Sequence, residues 1–174
     1  MSDGKLSKNI VLVGFMGTGK SKVSKKLAEV WQKEVISIDV LIEQSEGLPI
    51  PAIFTEKGQR YFRSLEKKIV SEVSRKKDVI IDCGGGVVLD PENIRRLRKH
   101  GLIICLYASP EVIFNRLKRK KNRPLLDVKE PKKRINQLLE VRKEHYQQAD
   151  HKVNTDNKTV TEVCREIMAL VSGK

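Results

Sequence analysis

Gly14-Phe-Met-Gly-Thr-Gly-Lys-Ser21 completes the pattern GxxxxGK[ST], and its setting constrains the fold more than any other stretch of the chain. The apolar run Asn9–Val13 before it reads as a strand, and a helix from Gly19 to about Gln32 follows, with Val23, Leu27, Val30 and Trp31 on one face. Strand, glycine loop and helix in that order aim backbone N–H groups and a positive helix end at one point, where phosphate oxygens bind. Gly14, Gly17, Thr18 and Gly19 would form that cradle, Lys20 would reach the β and γ phosphates of a nucleotide, and Ser21 would hold Mg²⁺. The bland alternative is an ordinary glycine turn.

The rest of the chain repeats the strand-then-helix rhythm, which builds βαβ units around a buried parallel sheet. Further strands are expected at residues 35–38, 78–82, 102–107 and around Val153. Between the second and third lie two short helical pieces, interrupted at Gly47-Leu-Pro49-Ile-Pro51, and a long helix near 58–76 with Phe62, Leu65, Ile69 and Val73 aligned. Asp90-Pro91-Glu92 and Ser109-Pro110-Glu111 each supply a cap, a first-turn proline and an acid, and so start helices. Another helix spans about 131–149, and Thr159 with Glu162 forms a capping box for the last one. The fold class is therefore α/β, a three-layer α/β/α sandwich around a five-stranded parallel sheet. A length of 174 residues makes one domain, 1–174, able to bury a core without staples.

No apolar run approaches the 18 or more residues of a membrane helix, and the start of the chain lacks the apolar core of a signal peptide. The odd set Cys83, Cys105 and Cys164 has no CxxC spacing, so it reads as reduced, buried thiols of a cytoplasmic protein. The charge is +13, from 35 Lys+Arg against 22 Asp+Glu. With aromatics at 5% and no basic-aromatic interleaving, that excess suits small anionic substrates better than nucleic acid.

A phosphate loop leaves the acceptor open, and a single domain must place both substrates at the C-terminal ends of the strands. Asp39 stands there after the second strand, Asp82-Cys83-Gly84-Gly85-Gly86 after the third, and Arg116 to Arg123 beyond the fourth. The ordered set of phosphate loop, Ile38-Asp39 with Ile42-Glu43, Phe62-Arg63 with Glu66, Gly84-Gly85-Gly86, Asn122-Arg123-Pro124-Leu125-Leu126 and Arg142 with Tyr146 resembles shikimate kinase over nearly the whole chain.

That resemblance implies a fold like the P-loop nucleoside-monophosphate kinases with a mobile lid, about 116–130. It also implies ATP-dependent phosphorylation of the 3-hydroxyl of shikimate in aromatic amino-acid biosynthesis, by a monomer using Mg²⁺. Arg63 and Arg142 would grip the substrate carboxylate, where a guanidinium can bind in a fork. Asp39 would orient the attacking hydroxyl and accept its proton late. Gly84, Gly85 and Gly86 would let the ring approach bare backbone. Arg116 would pack against adenine, and Arg123 would neutralise charge on the transferring phosphoryl group.

Each assignment has a structural counterpart. Arg142 shares a helical stripe with Ile135, Leu138, Leu139 and Tyr146, so it needs either a ligand or a salt bridge to Glu66 or Asp150. Arg63 could pair with Glu66 at i+3 and still meet substrate. Within Arg116-Leu-Lys-Arg-Lys-Lys-Asn-Arg123, Lys118, Lys120 and Lys121 suit a solvated face. Ser37 stands where the family commonly carries the first acid of Asp-x-Asp. Asp82 would then supply the missing charge in the manner of a Walker B carboxylate, or else simply cap a turn. Alternative activities are a small kinase for gluconate or a nucleoside monophosphate, and a nucleotide-gated RNA-binding protein.

Overall fold

The computed structural model describes residues 8–118, 126 and 128–173. Its elements run β1 (Asn9–Val13), α1 (Lys20–Trp31), β2 (Glu34–Ser37), α2 (Ile38–Glu46), α3 (Ile50–Val73), β3 (Val79–Asp82), a 3-10 turn (Val87–Leu89), α4 (Pro91–His100), β4 (Gly101–Tyr107), α5 (Pro110–Leu117), α6 (Pro131–Gln147), β5 (His151–Asn154) and α7 (Val160–Ser172). The strands form one sheet in the order β2-β3-β1-β4-β5, and every neighbouring pair is parallel. Central strands of such a sheet are covered on both faces, which is why they read as unbroken apolar runs.

Alternation along β1 divides the core. Ile10 and Leu12 face α1 and α7, packing with Val23, Leu27, Val163 and Ile167. Val11 and Val13 face α3 and α4, packing with Ile69, Val70, Ile94 and Leu97. A third cluster of Phe15, Ala108, Ile113, Leu117, Ile135 and Leu138 ties α5 and α6 to the loops that leave β1 and β4. All three layers of the expected sandwich are present. The expected caps are too: Asp90 and Ser109 accept the Glu92 and Val112 amides at 2.9 and 3.4 Å. Thr159 and Glu162 close a reciprocal capping box.

Several boundaries differ from the sequence reading, three of them with a local cause. The second strand ends at Ser37, not Ile38, because the Ser37 hydroxyl accepts the Val40 amide and starts a helix. The second short helical piece and the long helix are joined as α3, with Gly58 (φ 80°, ψ 167°) as a non-helical residue inside it. The sixth helix stops at Gln147, because Asp150 serves β4: its amide donates to Ile103 O at 2.9 Å and its Oδ2 accepts from Ile103 N at 2.8 Å. The proposed lid falls largely on residues outside those described, Arg123 among them.

Among the buried polar groups, Asn9 holds the approach to β3. Its Nδ2 donates to Lys76 O at 2.7 Å and its Oδ1 accepts from Val79 N at 3.1 Å. Replacing it by alanine strands the buried Val79 N–H, a loss of about 1–3 kcal/mol. Urea titration of Asn9→Ala should show a lower midpoint at unchanged slope, and an unchanged midpoint would contradict this reading.

Candidate active site

The phosphate loop connects β1 to α1, and its backbone requires glycine. Gly14 has φ +139° and passes so close to the Leu106 carbonyl that a β-carbon there would collide with it. Gly19 (φ 97°) leads into α1, and no side chain caps that helix, which leaves its N-terminus to an anion. Lys20 is nearly buried, with Nζ donating to Gly14 O at 2.8 Å and Phe15 O at 3.1 Å. Its ammonium is thus poised over the cradle. Thr18 braces the loop by donating to Phe15 O at 2.7 Å.

Because β3 lies beside β1, Asp82 comes next to the start of α1. It is buried beside Ser21, with Lys20 nearby. Burial raises its carboxyl above the usual range, against the opposing pull of Ser21 and Lys20. All three thiols are free and buried, and burial pushes Cys105 up to about 11, so they are inert at neutral pH.

The backbone then runs through Gly84, Gly85 and Gly86, which pack against different neighbours. A β-carbon on Gly84 would stand 2.6 Å from Asp39 Oδ1 and one on Gly86 2.6 Å from Arg63 Cζ, while one on Gly85 would stand 3.3 Å from Met16 N and 3.5 Å from Gly14 O of the phosphate loop, with Arg142 Nη1 at an ordinary contact of 3.8 Å. Their φ values are not the issue; Asp39, Arg63 and the phosphate-loop backbone already take the space. Arg63 Nη1 donates to Glu66 Oε2 at 2.6 Å, and Glu66 is almost fully buried. Burial raises its carboxyl, opposed chiefly by the Arg63 charge. Among the described residues, Arg63 Nε and Glu66 Oε1 are buried without a hydrogen-bond partner.

Arg142 of α6 is buried, donates through Nη1 to Gly85 O at 3.2 Å and lies 5.6 Å from the centre of the Phe15 ring. The carboxylates weighed as its salt-bridge partners are engaged elsewhere. Glu66 pairs with Arg63, and Asp150 pairs with Arg98 at 3.3 Å. A backbone carbonyl and an aromatic face take their place.

A cleft of about 610 Å³ runs along the C-terminal edge of the sheet, lined by the phosphate loop, Asp39, Asp82, Gly84, Gly85 and Arg116. Its far wall holds Thr155, Lys158 and Val160, which sequence reasoning missed. Their signal was positional, since the loop between β5 and α7 must emerge at the same sheet edge as the phosphate loop. Arg116 spans the two, donating to Gly17 O at 3.2 Å and to Thr155 Oγ1 and O at 3.0 and 2.7 Å. Of the expected site residues, Arg123 alone lies outside those described.

The family model for shikimate kinase matches residues 16–172. The chain belongs to the shikimate kinase family. A shikimate kinase of Caldanaerobacter subterraneus subsp. tengcongensis is 48% identical over 161 residues, covering 92% of this chain and 94% of that relative. One from Thermodesulfovibrio yellowstonii is 45% identical, with 92% and 93% covered. Among solved structures, shikimate kinase from Acinetobacter baumannii in complex with shikimate superposes with a TM-score of 0.93 at 32% identity, covering 97% of this chain and 95% of that one. A gluconokinase from Sinorhizobium meliloti at 18% identity and TM-score 0.67 shares the fold alone. Ser37 of this family member caps α2.

The raised Asp82 carboxyl has a measurable consequence. A folded-state value above the unfolded one stabilises the protein below the unfolded value, and that contribution is lost as pH rises through the folded value. Asp82→Asn should therefore melt higher than wild type at pH 7, with the gap closing as pH falls towards about 4, where the carboxylate protonates anyway. A gap independent of pH in thermal melts would contradict this.

Proposed function

We propose that this protein transfers the γ-phosphoryl group of ATP to the 3-hydroxyl of shikimate, giving shikimate 3-phosphate and ADP for aromatic amino-acid biosynthesis. The observation that carries this reading is the meeting of Asp39, Arg63 and Arg142 on the glycine triplet, along the same sheet edge as the phosphate loop. A small ring bearing one carboxylate and several hydroxyls fits a site made of two guanidinium groups, one acid and bare backbone.

Phosphoryl transfer asks the protein mainly for positioning and charge. The amides of the loop from Gly14 to Gly19, with Thr18 as brace, hold the phosphates. Lys20 reaches the β and γ groups from its seat on the loop carbonyls. Arg63 and Arg142 clamp the carboxylate, so that the ring lies on Gly84, Gly85 and Gly86 with its hydroxyl at Asp39. There Asp39 orients the nucleophilic oxygen and takes its proton late. The unpartnered Arg63 Nε and Glu66 Oε1 are in the state expected of groups reserved for a ligand. Arg116 walls the adenine side, and Arg123, which lies outside the described residues, would neutralise charge on the transferring group.

The Ser21 hydroxyl and the nearby Asp82 carboxylate are the hard oxygen donors Mg²⁺ takes. Bound there, the ion would offset phosphate charge. Among the described residues no cluster of three or more His, Cys, Asp or Glu forms a metal cage. That suits an ion which keeps its waters and phosphate ligands. The enzyme acts as a monomer in the cytoplasm, and its positive charge serves anionic substrates, not nucleic acid. No described helix is long and apolar enough to cross a membrane.

ADP release with shikimate, quinate, gluconate and nucleoside monophosphates tests the acceptor. Shikimate should support turnover, and Asp39→Asn should lower kcat by about 10²–10⁴-fold. Activity on gluconate without activity on shikimate would overturn the assignment. Separately, Asp82→Asn should raise the Mg²⁺ concentration needed for half-maximal rate, and an unaltered Mg²⁺ dependence would remove Asp82 from the metal's surroundings.

A further inference from the structure

Tyr146 lies one helical turn beyond Arg142 on α6, so both side chains project towards the glycine triplet. Its hydroxyl donates to Gly85 O at 2.5 Å, the same carbonyl that accepts from Arg142 Nη1 at 3.2 Å. The Arg142 charge lies close to it. One backbone carbonyl thus joins a guanidinium and a phenol. The ring is anchored from behind, since it packs against two of the core clusters. Burial moves the phenol well above its ordinary value, which keeps it a donor throughout the neutral range.

Two consequences follow from elementary geometry. The Gly85 carbonyl and the Gly86 N–H belong to one rigid trans peptide, so fixing the first fixes the second. Glycine backbone is otherwise the most conformationally free in the chain, and side chains crowd this triplet without covalently restraining it. Of the two supports of Arg142, the Phe15 ring and this carbonyl 3.2 Å away, the carbonyl would carry that freedom to it.

We propose that Tyr146 is a positioning residue for the acceptor: through the Gly85 carbonyl it locks the glycine triplet and Arg142 in the arrangement that receives the substrate carboxylate. Its hydroxyl is engaged by the Gly85 carbonyl and its ring by the core, so it acts through the triplet and Arg142. This rests on the acceptor site described under Proposed function, and it assigns a role to a side chain that a purely structural reading would leave as core.

Tyr146→Phe keeps the ring and deletes the donor. Steady-state kinetics should show the KM for shikimate raised about tenfold, as one buried hydrogen bond implies. The KM for ATP and kcat should stay within about twofold. In an Arg142→Lys background the same substitution should add less than about twofold, because the two residues act as one unit. An unchanged KM for shikimate would overturn the proposal. So would a uniform loss in both KM values together with a lower melting temperature, or full multiplication of the two effects. If Tyr146→Phe does not fold, Arg142→Lys with the native tyrosine still decides: its shikimate KM should rise while that for ATP holds, and no rise would overturn the unit. Wild-type turnover of shikimate, measured alongside, separates failure of this proposal from failure of the acceptor assignment.

Discussion

Three successive residues without side chains, Gly84, Gly85 and Gly86, are the constraint on which the acceptor side depends. Asp39 of α2 and Arg63 of α3 fill the space beside Gly84 and Gly86, the phosphate loop comes closest to Gly85, and the Gly85 carbonyl accepts from Arg142 of α6. Two charged side chains and the phosphate loop crowd this stretch of backbone because no β-carbon intervenes. The cost of gathering one buried and one half-buried guanidinium group is offset locally. Glu66 neutralises one, and a carbonyl with an aromatic face supports the other.

The sheet supplies the second half of the arrangement. With β1 between β3 and β4, the phosphate loop sits between the strand that ends in Asp82 and the strand that leads to Arg116. Gly14 allows the loop to touch the Leu106 carbonyl, and Arg116 ties Gly17 to Thr155 across the cleft. A rigid core on both faces therefore delivers a donor cradle and an acceptor corner along one edge. Such a division suits an enzyme whose chemistry needs placement and charge more than covalent assistance.

Much of this was legible in the sequence. The strands showed as apolar runs because both faces of a parallel sheet are covered, and helix starts showed because capping needs particular side chains. Arg142 announced itself as a charge on an apolar stripe, yet its partner did not. A carbonyl and a ring face leave no charge pattern to read, whereas Glu66 and Asp150 offered themselves as obvious anions. Ser37 looked like the loss of a metal-assisting acid, and its capping of α2 emerged only from backbone geometry. Thr155, Lys158 and Val160 were invisible for a related reason: the topology, not residue type, brings the loop after β5 to the nucleotide cleft.

The most direct measurement is a crystal structure with ADP, Mg²⁺ and shikimate bound together. The account requires the shikimate carboxylate between Arg63 and Arg142, the ring against the glycine triplet, and its 3-hydroxyl about 3 Å from Asp39 and facing the phosphate loop. A carboxylate seated on other cations, or a hydroxyl turned away from Asp39, would contradict it.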